Sequence, residues 1–189
     1  MTSASTGETL RCSWVGADPA LIAYHDSEWG MPLHGDRALY EKIALEGFQA
    51  GLSWATVLRK RERFREVFAG FEPVAVARFG TADVDRMLAD AGIIRNRAKI
   101  EAAIANARVV ATMAPGELDA LIWSFAPTAA VRRPRTAAEV PVATAESAHL
   151  SAALRERGFR FVGPTTMYAL MQSAGLVDDH LAGCWRAAE

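Results

Sequence analysis

Along most of the chain the apolar positions recur at steps of three and four residues, the spacing that gathers them on one face of an α-helix. Leu39, Ile43 and Phe48 predict a helix over 36–49, meeting a second helix at Ala50-Gly51-Leu52. Ser53 reads as the cap of that second helix, which carries Trp54, Val57, Leu58, Phe64 and Phe68. Asp18-Pro19 pairs a capping carboxylate with a proline suited to the first helical position, opening a short helix through Tyr24 that leaves His25 just beyond it. Thr81 heads Val84, Met87, Leu88 and Ala91, stopped by Gly92. The helical repeat returns at Ile100, Ala103, Ile104, Ala107 and Ala111, and again at Leu118, Leu121, Ile122 and Phe125. Near the end, Ser147 is expected to cap a helix with Leu150, Ala153 and Leu154 that stops at Gly158. Pro164 then starts another, with Met167, Leu170, Met171 and Ala174 on one face, closed by Gly175. Residues 147–175 therefore read as helix, hairpin, helix. No useful stretch alternates with period two, so the predicted fold class is all-α. Residues 1–9 are small and polar and predict a flexible N-terminal tail; 10–189 predict a single domain, with 126–142 as its one long loop.

Composition narrows the class. With 189 residues and 51% of them hydrophobic, the chain can bury a sizeable core and is not a disordered segment. No apolar run approaches the roughly 18 residues that would span a bilayer, and the start lacks the pattern of a secretory leader. A cytoplasmic, monomeric protein without a membrane partner is expected. The formal net charge of -1 gives no bulk attraction to nucleic acid, so DNA binding would need local groups. Two cysteines, Cys12 and Cys184, exclude a disulfide framework and a four-cysteine iron–sulfur cluster.

Three groups of residues carry candidate chemistry. The first is the hairpin Gly158-Phe159-Arg160-Phe161-Val162-Gly163, followed by Pro164-Thr165-Thr166. Free amides at the start of the second helix can hold a phosphate without lysine, positioning a duplex without reading its sequence. Equally, the string is an ordinary connection with Phe159 and Phe161 in the core. The second group is Cys12, His25, His180 and Cys184. His180 and Cys184 are spaced to share one face of a helical turn, and all four could close a tetrahedral zinc site; buried free thiols with helix-capping histidines are the alternative. The third is aromatic: Trp14, Trp29 and Trp54 lie in the first third beside Tyr24, rings of the kind that stack a flat base. Glu46 falls in an apolar helix neighbourhood there, either as a solvated residue or as a buried hydrogen-bond acceptor.

Taken in order, Arg11-Cys12-Ser13-Trp14, Tyr24-His25-Asp26-Ser27-Glu28-Trp29-Gly30, Gln49-Ala50-Gly51-Leu52-Ser53-Trp54, the hairpin and Asp179-His180 strongly resemble the type I 3-methyladenine DNA glycosylases of the helix-hairpin-helix superfamily. The resemblance covers about residues 10 to 186. It implies excision of 3-methyladenine from double-stranded alkylated DNA by hydrolysis of the N-glycosidic bond, leaving an abasic site. It further implies one structural zinc ion on Cys12, His25, His180 and Cys184, and a base pocket at Tyr24, Glu46 and Trp54 with Trp14 and Trp29 beside it. Leu52 becomes the candidate wedge into the duplex. Phe159, Arg160, Phe161, Val162, Gly163 and Thr165 become the candidate DNA contacts. Strand-cutting relatives in the superfamily carry lysine where Thr165 stands, so a monofunctional enzyme without lyase activity is expected. Asp178 aligns with a superfamily catalytic aspartate that type I enzymes lack; a neutral variation beside the zinc ligand is the favoured reading. A non-catalytic DNA-binding module is the competing class, and a zinc hydrolase is disfavoured because no His-Glu-x-x-His string is present.

Overall fold

The computed structural model describes residues 9–128 and 132–188; of the expected N-terminal tail only Thr9 falls among them. Among the described residues there are ten α-helices, a few short 3-10 turns and no strand, as the apolar spacing predicts. The helices are α1 (Pro19–Ser27), α2 (Asp36–Gln49), α3 (Trp54–Leu58), α4 (Arg61–Val67), α5 (Pro73–Val76), α6 (Thr81–Ala89), α7 (Arg97–Val110), α8 (Glu117–Trp123), α9 (Ala145–Glu156) and α10 (Pro164–Ser173).

Four local expectations change. α1 continues past Tyr24 to Ser27, because nothing interrupts it before Gly30, so His25 lies inside its last turn, fully buried. The helix expected from Ser53 is two helices, and at the turn between them Lys60 Nζ donates to the Ala91 carbonyl at 2.7 Å. α6 is preceded by Gly80, whose N–H donates to Asp83 at 2.9 Å, and it ends at Ala89, before Gly92. α9 is capped by Thr144, whose hydroxyl accepts from Ser147 N while Ser147 Oγ accepts from Thr144 N at 2.9 Å; Ser147 is the reciprocal partner three residues on.

α2 is the central element. It packs on α7, α10, α8 and α3, and buries Leu39, Tyr40, Ile43, Leu45 and Phe48 in one large core. Each such side chain removed from water contributes about 1.5–3 kcal/mol, which fixes α2 as the frame for whatever its remaining face carries. That face carries Lys42 and Glu46. A second, smaller core at Cys12, Val15 and Cys184 joins the N-terminal segment to the C-terminal one, where Trp185 N also donates to Leu10 O at 2.9 Å.

The α9–α10 hairpin divides its aromatics between the two readings open at the sequence level. Phe159 and Val162 are core residues, whereas Phe161 stands 43% exposed with φ +56°. The Phe161 side chain lies against Gly47 of α2, where an added Cβ would sit 3.4 Å from it, an ordinary contact. From α7 the buried Asn106 grips the hairpin at both ends of its amide: Nδ2 donates to Arg160 O at 3.0 Å, and Oδ1 accepts from Arg160 N at 2.8 Å. Loss of this grip leaves two backbone groups unpaired, each costing about 1 kcal/mol or more. Asn106→Ala is therefore expected to lower the unfolding free energy by about 2 kcal/mol, read as a shifted urea midpoint at unchanged slope.

Candidate active site

Between α1, α2, α3 and α10 lies a cavity of about 350 Å³, closed on further sides by residues 137–140 and 179–181. Its walls include all five residues expected for a base pocket, Trp14, Tyr24, Trp29, Glu46 and Trp54. Tyr24 and Trp54 have ring centroids 5.2 Å apart at 42°, and Trp14 meets Trp29 edge to face at 5.2 Å. The Trp54 indole N–H is buried without a hydrogen-bond partner in the protein. A flat, partly polar ligand suits such walls better than an aliphatic one.

Glu46 is buried, and Ser173 Oγ donates to its Oε1 at 3.0 Å. Burial pushes its carboxyl up to about 7, while the nearby Lys42 ammonium and the Ser173 hydrogen bond oppose the rise. Tyr24 is likewise raised well above an ordinary phenol, by burial first and then by the charge of Glu46. An ionisable acceptor set among rings, in a cavity of this size, is able to take hydrogen bonds from a cationic or amine-bearing planar ligand.

Sequence reasoning missed several polar residues here. Gln49, Gln172, Ser173 and Asp179 also line the cavity. Asp179 is buried, and its Oδ2 accepts from Tyr168 Oη and Gln172 Nε2, each at 2.7 Å. Asp178, the residue aligned with the superfamily aspartate, is not among the lining residues. Its Oδ1 meets His180 Nδ1 at 2.9 Å and its Oδ2 accepts from Arg133 Nε at 2.7 Å. Of the pair, the cavity takes the second carboxylate and the histidine takes the first. Two adjacent aspartates offer no local signal that tells them apart.

Behind Trp29 the segments around Cys12 and Cys184 meet. Cys12, His25 and Cys184 are buried with their ligand atoms all within 4.8 Å of one another, and Cys184 Sγ lies 3.4 Å from His25 Nε2. His180 stands outside that set. Its ring is edge-on to His25 at 5.2 Å, and its Nε2 is buried with no hydrogen-bond partner. Gly30 makes the approach possible, since a Cβ there would lie 2.6 Å from His180 Cε1. The Nδ1 atoms of both histidines are held by carboxylates, His25 by Asp26 at 2.8 Å and His180 by Asp178, which leaves each Nε2 for another partner. Burial pushes the Cys12 thiol up to about 12, so this thiol keeps its proton unless a metal replaces it.

Leu52 is 43% exposed beside Gly51, whose φ of +80° makes the turn after α2. It shares the C-terminal end of α2 with the exposed Phe161, while Arg160 and Thr165 are exposed on the hairpin and the first turn of α10.

The sequence matches the methyladenine glycosylase family over residues 14–187. The chain belongs to the methyladenine glycosylase family. Within it, the chain is 51% identical over 178 residues to DNA-3-methyladenine glycosylase 1 of Escherichia coli, covering 92% of this chain and 95% of the relative. Among solved structures, a crystal structure of 3-methyladenine DNA glycosylase I shares 46% identity with a TM-score of 0.89, covering 93% of this chain and 98% of that one. The Staphylococcus aureus enzyme, solved to explain its 3-methyladenine recognition, shares 34% identity at a TM-score of 0.85, covering 93% and 95%. The family match spans the helices that line the cavity. Among the described residues, no helix of this family member is long and apolar enough to cross a membrane.

Proposed function

We propose that the protein, a single glycosylase domain over 10–189, excises 3-methyladenine from double-stranded alkylated DNA and leaves an abasic site. The observation that carries this reading is the buried carboxylate of Glu46, set among aromatic rings in a cavity of about 350 Å³. Base excision needs the nucleotide out of the stack, because the glycosidic bond is out of reach inside a duplex. Exposed Leu52 fills the gap left behind, and the Gly163, Thr165 and Thr166 amides at the start of α10 face the phosphates, with Arg160 and Phe161 beside them. Phe159 and Val162 serve from the core, offering backbone rather than side chains to DNA.

Inside the pocket Tyr24 and Trp54 supply faces for the methylated base, with Trp14 and Trp29 next to them. Glu46 accepts from the exocyclic amine and offsets the positive charge of the base. That charge already weakens the bond to the sugar, so the base departs neutral without a strong acid. The C1′–N bond breaks with its electrons going to the base, water adds to C1′, and the displaced proton passes to solvent. Thr165 cannot form a Schiff base, so the enzyme is read as monofunctional.

One structural zinc ion is read on Cys12, His25 and Cys184, which could hold a metal, with His180 as the fourth ligand once its free Nε2 turns toward them. Tetrahedral ligation with metal–ligand distances of about 2.0–2.3 Å places ligand atoms ~3.3–3.8 Å apart, and the Cys184–His25 separation is 3.4 Å. With four protein ligands no position remains for substrate, so the ion would clasp the segments around Cys12 and Cys184. A cytoplasmic monomer remains the expected setting. The test is incubation with methylated duplex DNA: free 3-methyladenine and uncut abasic strands are expected, with no borohydride-trapped adduct. No release of the base overturns the reading, and a trapped adduct overturns its monofunctional part.

A further inference from the structure

Lys42 is a charged residue that neither the core nor the cavity accounts for. It stands one turn before Glu46 on α2, a spacing that puts both on the face toward α1. Its Nζ donates to Tyr24 Oη at 3.0 Å and lies 4.8 Å from the Tyr24 ring centroid and 5.5 Å from that of Trp54. Among the described residues no carboxylate comes within 4.0 Å of this ammonium; Glu28, the next acid on that side, is paired with Arg61. A half-buried cation set behind the rings and not neutralised by contact acts at short range on whatever charge the cavity holds.

We propose that Lys42 is a positioning residue that holds Glu46 as the ionised acceptor, through its charge and through its hydrogen bond to Tyr24. This rests on the reading of the cavity as a base pocket. Because Lys42 donates to Tyr24 Oη, one lone pair of the phenol is taken and its own proton is turned away from the lysine. Ser173 of α10, which also bears on the Tyr24 phenol, donates its hydroxyl hydrogen bond to Glu46. The groups facing Glu46 are thus Tyr24 from α1, Lys42 from α2 and Ser173 from α10, with Asp179 on the cavity wall beyond. Lys42 is the one cation in that set. Its own tendency to lose its proton on burial is opposed first by Glu46 and then by Glu28, the reciprocal of its effect on Glu46.

The experiment compares the pH profile of single-turnover 3-methyladenine release for the wild type, Lys42→Met and Lys42→Arg between pH 5.5 and 9. Loss of an opposite charge at this range moves a carboxyl by about one pH unit or more. Lys42→Met is expected to shift the acidic limb upward by that amount, with about fivefold less activity at pH 7 and recovery to within about twofold at pH 9. Lys42→Arg is expected to keep the wild-type limb. An unmoved limb in the Met variant, or an equal loss at every pH, overturns the proposal. Lys42→Gln is carried alongside in case the Met variant does not fold. Carboxyl ¹³C titration of Glu46 in the same proteins without DNA reads the same shift independently of turnover. A wild type that releases no base would overturn the excision reading, while an upward shift of the Glu46 titration in the neutral variants would still support the lysine's role.

Discussion

Cys184→Ser is expected to produce the largest loss of stability of any single conservative change, lowering the thermal midpoint by about 10 °C or more. The smaller core is built on Cys12, Val15 and Cys184, and it holds the N-terminal segment and residues 181–187 to α1. A metal bound only by the folded protein adds its binding energy to folding, and even ~3–5 kcal/mol of that energy, at about 2–4 °C per kcal/mol for a chain of this size, gives the stated shift. Metal analysis of protein purified without chelator should find about one equivalent of zinc in the wild type and well under that in the variant. Equal midpoints with no zinc in either protein would return the cysteines to buried free thiols.

Glu46→Gln is expected to act in opposite directions on activity and on stability. Glutamine keeps an oxygen for the Ser173 hydroxyl and nearly the same shape, but it loses the charge and turns an amide N–H donor toward the amine of the base. A hydrogen bond to a charged acceptor contributes about 1.5–3 kcal/mol, and the attraction to a cationic base adds to it, so excision should fall about 100-fold or more. Stability moves the other way. The folded carboxyl is raised from 4.5 to about 7, chiefly by burial, so the folded state binds its proton more tightly than the unfolded chain does. The resulting penalty is absent below pH ~4.5, grows as pH rises toward 7 and is complete above it, reaching about 3 kcal/mol at ~1.4 kcal/mol per tenfold. Calorimetry should find the glutamine variant more stable than the wild type at pH 8, with the difference vanishing near pH 4.5. A variant less stable at pH 8 would mean that Glu46 is held ionised by more than Lys42 and Ser173.

Much of this was legible in the sequence because the chemistry is local. Helix periodicity located the elements, and the strings around Tyr24, Glu46 and Trp54 carried the pocket residues that the fold then gathers. What stayed hidden depends on contacts between distant elements. Ser173 lies 127 positions from the carboxylate it serves, and Asn106 lies 54 from the backbone it grips. Asp178 and Asp179 differ only in which way the chain turns after α10. The hairpin's aromatics likewise could not be sorted before the fold placed Phe161 on the surface against α2 and Phe159 in the core. Lys42 is the instructive case: its spacing to Glu46 was visible, but a lysine four residues before a glutamate is ordinarily a solvated helix pair. Only the packing of Tyr24 against α2 gives that pair another meaning.

The most direct test is the single-turnover rate of 3-methyladenine release from alkylated duplex DNA, measured for the wild type and Glu46→Gln from pH 5.5 to 9. The wild-type rate is expected to rise through a midpoint near pH 7 to a plateau, following ionisation of Glu46. The glutamine variant should be flat with pH and at least about 100-fold slower on that plateau. Rates within about threefold of each other across the range would contradict the assignment of Glu46 as the group that recognises the base.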